Sequence, residues 1–348
     1  MHHSKFLSLN LLLIVSVSCS FVGAAPAAII HVPADQPTIQ QAIDVANTGD
    51  VVLVSPGTYL ENIDYHGKAI SIRSVSGPAH TIIDGSSAGP VVTFQTGEGT
   101  HSTLSGFTIQ HGSATFGAGV TLIGSSPTIT RNVFRNNAQG AGGFGAAIGG
   151  NGSSAIIERN TFQTNTCDTQ FTSGVVSFVN TSSPLVINNI FQRNPCRAIN
   201  MTLPEGSHPE IANNTIVQNS VGVRVDARVA TSTQLYANNI IVANGIGLQV
   251  DFLISGNEPT WMNNLVFNNT INYSGIADQT GINGNVSVDP QFVSTRNFQL
   301  QPTSPAIDAG TLSVPNLPPT DFLGNPRVVD GDGNGSVLPD IGAFEFIP

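Results

Sequence analysis

Charge is what this sequence has least of. Asp, Glu, Lys and Arg make up 10% of its 348 residues, against about 25% in an ordinary soluble protein. Lys and Arg number 12 against 22 Asp and Glu, a formal net charge of −10. No basic patch stands out, and nucleic acid is thereby removed from the expected partners. An acidic polysaccharide would need local basic residues or a bridging cation. Helical spacing is missing from most of the chain. Long apolar runs are missing too, apart from Leu9 to Val22. There Lys5 precedes the run and the small residues Gly23 to Ala27 follow it, the pattern of a secretion signal over residues 1–27. A membrane anchor fits less well, because Ser and Asn interrupt the run. Lipidation at Cys19 is a further alternative, on a poor match around Ser16-Val17-Ser18. The expectation is a secreted or cell-surface protein with no spanning segment.

What the sequence does have is small polar residues, with Gly at 36, and one phrase written six times. It opens as Pro127-Thr-Ile-Thr-Arg-Asn132-Val-Phe134-Arg-Asn-Asn137. It returns as Asn160-Thr-Phe162…Asn165, Asn189-Ile-Phe191…Asn194, Asn214-Thr-Ile216…Asn219, Asn239-Ile-Ile241…Asn244 and Asn264-Leu-Val266…Asn269. The units begin at Pro127, Ala155, Pro184, Pro209, Gln234 and Pro259, in steps of 28, 29, 25, 25 and 25 residues. A period of this length signals a solenoid. Short β-branched and aromatic runs broken by Asn, Gly and Ser read as strands bent around corners. One unit cannot bury its own apolar side, but stacked units can. Coils about 4.8 Å apart would stack Phe134, Phe162, Phe191, Ile216, Ile241 and Val266 inward. The two Asn columns fall at corners, where Asn tolerates left-handed backbone and its amide can bond the same amide one coil away.

The same ruler places the two remaining cysteines. Cys167 and Cys196 both lie twelve residues into their units, one above the other in adjacent coils. That separation permits a disulfide, with stacked reduced thiols as the alternative. The extra residues of the longer units fall in 140–152 and 168–173, as loops on one face or as neutral drift.

Before the array, Ile39, Ala42, Ile43 and Ala46 share one face at helical spacing, with Asp35 or Thr38 as the cap. Val51 to Val54 follows as a strand. This amphipathic helix would plug the open end of the solenoid, with Asp50 and Glu61 as structural groups. After the array, a segment from Asp289 carries five phrases: Asp289-Pro-Gln-Phe292, Phe298-Gln-Leu300, Ser304-Pro-Ala-Ile307-Asp308-Ala-Gly310, Asp321-Phe-Leu-Gly324-Asn-Pro-Arg327 and Asp340-Ile-Gly-Ala-Phe-Glu345. It is expected to fold back and close the C-terminal end.

These features resemble the right-handed parallel β-helix family, which includes pectate lyases, pectin esterases and many secreted repeat proteins. The stretch from Thr38 to Glu61 is similar to the start of pectin esterases. The five tail phrases resemble the C-terminal segment of exported proteins with a choice-of-anchor Q domain. The resemblance implies an all-β, right-handed parallel β-helix with a short N-terminal capping helix. Residues 1–27 are then the signal, 28–288 the helix with its cap, and 289–348 a C-terminal capping segment. The Asn phrase is shared by enzymes and non-enzymes, so it implies a fold and no activity. The pectin esterase Gln-Asp-Thr phrase is missing, since Asp168-Thr169 lacks the Gln.

Two constellations could carry chemistry. The strands Val223-Arg224-Val-Asp226-Ala-Arg228 and Leu248-Gln249-Val-Asp251 alternate, so Arg224, Asp226, Gln249 and Asp251 point outward. Asp226 and Asp251 are 25 residues apart and become vertical neighbours. Two carboxylates about 5 Å apart repel by roughly 3 kcal/mol at an effective dielectric near 20. A proton, an Arg or a cation must relieve them. Asp226 and Asp251 with Arg224 would serve a lyase, epimerase or glycosidase, with Gln249 and Arg228 binding substrate. The plainer reading is a solvated salt-bridge ladder. His111, Arg131, Arg135, Arg159, Arg193 and Arg197 read as surface residues. The second constellation, Asp330-Gly-Asp332-Gly-Asn334-Gly335…Asp340, resembles a calcium loop with oxygen ligands at alternate positions. The expected cofactor is Ca²⁺; a bare Gly/Asp turn is the alternative. Two functions are carried forward: an exported monomer that binds polysaccharide or cell-surface glycan without catalysis, or an enzyme acting on such a glycan.

Overall fold

The computed structural model describes residues 26–168, 173–204, 206–226, 234–252 and 258–348. The expected signal up to residue 25, Cys19 and Arg228 lie outside these residues. The chain winds into a solenoid of short parallel strands in three sheets. The first has ten strands, from Ile29–Val32 to Thr260–Met262. The second has nine, from Gly57–Leu60 to Leu265–Phe267, and the third has nine, from Ile63–Asp64 to Ile271–Ser274. No helix among the described residues is long and apolar enough to cross a membrane.

The period sets the register. Phe134, Phe162, Phe191, Ile216, Ile241 and Val266 pair in order along the second sheet. All are buried, and the Phe162 ring centroid lies 5.0 Å from that of Phe134 and 4.5 Å from that of Phe191, stacked nearly parallel in both cases. One amide ladder runs Asn132, Asn160, Asn189, Asn214, Asn239, Asn264, Asn285, each Nδ2 donating to the next Oδ1. A second runs Asn137, Asn165, Asn194, Asn219, Asn244, Asn269. The same Oδ1 atoms also take backbone N–H groups at the corners. These corners cannot complete a strand ladder, and the amides satisfy what they leave open.

One expectation about the corners is corrected. The left-handed residue is the one before each ladder Asn: Arg131, Arg159, Asn188, Asn213, Asn238 and Asn263 at the first corner, with φ between 49° and 57°. At the second corner the position holds Asn136, Thr164, Arg193, Gln218, Ala243 and Asn268. The ladder Asn supplies hydrogen bonds, and its neighbour supplies the bend.

The N-terminal end is closed by the helix Ile39–Val45, with Thr38 as N-cap accepting from the Gln41 N–H. Glu61 accepts the Ile39 and Gln40 N–H groups at 3.0 and 2.9 Å, which an α-helix start leaves unpaired. Asp50 accepts from Ala28 and Asn47. Both acids are structural. Cys167 and Cys196 lie in adjacent coils, Cα atoms 5.8 Å apart, joined by a disulfide.

The segment after Asp289 does fold back, but onto the flank of the solenoid. Phe298, Leu300, Ala306, Ile307, Ile341 and Phe344 pack on Ile190, Val217, Ile240, Val242 and Leu265 of the second sheet. Val314 packs on Ile187, Ala212 and Ala237 of the first. Between them runs the left-handed Asn column. Asn188 donates to Thr320 O, Asn213 to Asp340 O, Asn238 to Thr311 O and Asn263 to Ala309 O. The doubled Asn of the last four units is therefore the dock for the tail, a signal the sequence held and repeat counting passed over.

Candidate functional site

The outer face of the third sheet carries a polar column. Thr121, Gly149, Ser177, Asn200, Arg224, Gln249 and Ser274 pair in succession. Asp226 pairs with Asp251 one step along. Of the three ways to relieve that carboxylate pair, the structure uses the arginine. Arg224 Nε lies 2.9 Å from Asp251 Oδ2 and Nη2 3.6 Å from Asp226 Oδ2. Its Nη1 donates to Thr202 Oγ1 at 2.9 Å and to Asn200 Oδ1 at 3.4 Å.

The exposed ladder expected here is corrected. Arg224 is 1% exposed and Asp226 3%. They point outward from the sheet, as alternation requires, yet this part of the face is covered. What remains open is the rim: half-buried Gln249 and Asp251, and Phe252 at 58% exposed. Gln249 Nε2 donates to Asp251 Oδ1 at 3.1 Å. Arg197, read from sequence as a plain surface residue, belongs to this cluster. It is half-buried, and burial together with the Arg224 charge lowers its guanidinium against the pull of Asp251.

His111 is exposed, as read from the sequence, and it also meets a carboxylate. Its Nδ1 lies 2.8 Å from Asp84 Oδ2, which also accepts from Gln110 at 2.8 Å. Burial pushes the Asp84 carboxyl up, but the bonds from Gln110, Ser86 and His111 outweigh it and hold it below its ordinary value.

In the tail, Asp330 and Asp332 come together with Asp308, and their carboxylate oxygens lie within 4.8 Å of one another. Asp340 is not among them, and Asn334 touches the trio through its N and Nδ2, which donate to Asp332. Asn334 Oδ1 accepts from Ser336 N. Asp340 is buried and accepts from Asp308 N and Phe346 N. Asp340 instead belongs to a buried ionic plug with Arg327, Glu345 and Asp321. Arg327 Nη1 contacts Glu345 Oε2 at 3.1 Å, and its Nη2 donates to Asn188 Oδ1 at 2.5 Å. Asp321 accepts from the Leu323, Gly324, Asn325 and Glu345 N–H groups.

That plug makes stability depend on pH. Burial, then the Asp340 charge, push the Glu345 carboxyl up to about 9 against the pull of Arg327. Burial raises Asp340 to about 6. A carboxyl whose folded value lies above its unfolded value stabilises the fold fully below the unfolded value, and that contribution is lost as pH rises through the folded one. Groups with depressed values, such as Asp84 and Glu98, act only at more acid pH. Thermal unfolding in chelator-containing buffer is therefore expected to show a higher midpoint at pH 5 than at pH 9. Glu345→Gln should flatten the slope; a slope unchanged by that substitution would place the titration elsewhere.

The fold is a parallel β-solenoid with a polar column on the outer face of its third sheet. The right handed beta helix region family matches residues 91–293, more than half of the chain, and the chain belongs to that family. A solved relative in fold is the crystal structure of pectate lyase Pel9A, with a TM-score of 0.52 and 15% identity over 93% of this chain and 98% of that one. At that identity the likeness is one of fold. No curated protein matches the sequence.

Proposed function

We propose that this chain is an exported β-helix protein that binds a neutral glycan on the outer face of its third sheet without cleaving it. The state of Arg224 carries the reading. Its guanidinium faces two carboxylates, an amide and a hydroxyl, and 1% of the residue is exposed. A lyase or hydrolase needs its base and its cation to meet substrate. Here Arg224 and Asp226 form the foundation, and the accessible chemistry is Gln249, Asp251 and Phe252. An amide and a carboxylate match sugar hydroxyls, and an exposed aromatic ring matches the apolar face of a sugar. The net charge of −10 and Asp251 at the rim weigh against a uronate. The likeness to pectate lyase Pel9A supports a polysaccharide-related role. The expected secretion signal, the Cys167–Cys196 disulfide and the tail phrases similar to choice-of-anchor Q segments support export to the cell surface or medium.

Affinity electrophoresis against a panel of neutral and uronate polysaccharides tests this. A neutral glycan should retard the protein, and Phe252→Ala and Gln249→Ala should each weaken binding about tenfold, the scale of one to two kcal/mol per lost contact. Retention by uronates alone, or retention unchanged in both variants, contradicts the proposal.

A further inference from the structure

We infer that Asp308, Asp330 and Asp332 form a Ca²⁺ site that staples the tail to itself. Each offers a carboxylate oxygen, and the three lie within 4.8 Å of one another. Two of those side chains hold a buried oxygen without a donor. Asp308 is 9% exposed and its Oδ1 has no hydrogen-bond partner; Asp330 Oδ1 is likewise buried and unpartnered. The remaining oxygens are spoken for. Asp308 Oδ2 accepts the Gly331 and Asp332 N–H groups at 3.0 Å each, and Asp330 Oδ2 accepts Gly335 N at 2.9 Å. Asp332 Oδ1 accepts Asn334 N and Oδ2 accepts Asn334 Nδ2. Backbone N–H groups thus orient Asp308 and Asp330 and leave a buried oxygen bare in each, while Asp332 is held by the N and the side-chain amide of Asn334.

A buried carboxylate oxygen without a partner is costly. Three carboxylates packed together repel unless something positive sits among them. Among the described residues no Lys, Arg or His forms an ion pair with any of the three. A divalent cation bound to the bare oxygens removes both penalties. An all-oxygen set excludes metals that prefer sulfur or imidazole. A cage of carboxylates with irregular spacing, completed by water, suits Ca²⁺ better than Mg²⁺, which holds to a tight octahedron.

The ligand set differs from the loop pattern in the sequence. Asn334 is spent on Ser336, Asp340 is spent on Asp308 N and Phe346 N, and Asp308 arrives from a separate turn. That turn is docked on the solenoid, since Ala306 and Ile307 pack on the second sheet. A cation joining Asp308 to Asp330 and Asp332 therefore ties the outer loop to the docked part of the tail.

Equilibrium dialysis of the full chain with Ca²⁺, paired with thermal unfolding in Ca²⁺ and in EDTA, tests this. The site predicts one Ca²⁺ per chain and a higher melting temperature in Ca²⁺. Asp308→Asn and Asp332→Asn should each weaken Ca²⁺ binding at least about tenfold, while Asn334→Ala, which removes one donor to Asp332, weakens it less. In EDTA the Asp332→Asn protein should melt no lower than wild type, because its loss removes repulsion. If Asp308→Asn fails to fold, the exposed Asp332 position decides. Absence of bound Ca²⁺ in wild type, wild-type affinity in Asp332→Asn, or a preference for Mg²⁺ over Ca²⁺ overturns the assignment.

Discussion

Arg327→Met is expected to destabilise the protein by about 3–5 kcal/mol, the range for breaking a buried ion pair by removing one partner. Arg327 is fully buried. It contacts Glu345, Asn188 and the carbonyls of Gly342 and Ala343. Met fills much of the volume and leaves Glu345 and Asp340 facing each other with no cation, and Asn188 Oδ1 with no donor. Part of the loss is recovered by protonating Asp340, which burial raises to about 6, so the cost should be smaller at pH 5 than at pH 8. Arg327→Lys should rescue little, because one ammonium cannot serve acceptors spread over four residues. Urea unfolding at both pH values measures this. A loss under about 1 kcal/mol would mean the plug does not hold the tail.

Asn214→Ala should cost about 3 kcal/mol or more, at about 1–3 kcal/mol per buried group left unsatisfied. The Asn214 amide accepts from Asn189 N and Asn189 Nδ2 at 2.9 and 3.1 Å. It donates to Val186 O, Ala212 O and Asn239 Oδ1 at 2.8, 3.1 and 3.0 Å. Ala removes every one of these partners inside a buried stack, where water cannot replace them. Asn269, at the end of the second ladder, is half-buried, and Asn269→Ala should cost about 1 kcal/mol. Chemical denaturation of the two variants compares them directly. Equal costs would mean that the ladder acts coil by coil and not as a buried stack.

The Asn214 ladder was legible in the sequence, and the Arg327 plug was not. A repeat period is a register, so the Phe134 to Val266 stack, both amide ladders, the Cys167–Cys196 neighbours and the Asp226–Asp251 pair all followed from counting. Strand alternation also gave the direction of Arg224. It could not give burial, because direction depends on the strand alone and burial depends on what lies over the sheet. The same limit hid Arg197.

Contacts outside the period were hidden for a different reason. Asp84 and His111 both precede the first Asn phrase at Pro127, so nothing aligned them. The tail has no repeat at all, and its partners are far away in sequence. Asp308 meets Asp330 and Asp332 only after the tail has folded onto the flank, so a loop motif read in isolation could not include it. The doubled Asn of the last four units was visible. Its meaning required seeing that a left-handed corner turns the preceding side chain outward, toward the tail.

The proposed function is a sheet face that holds sugar and does not cut it. The most direct test is a long incubation of wild-type protein with every polysaccharide that retains it, assayed for new reducing ends and for unsaturated products. Binding with no product of either kind is the predicted result. Product that appears with wild type and disappears with Asp251→Ala would contradict it and make this face an active site.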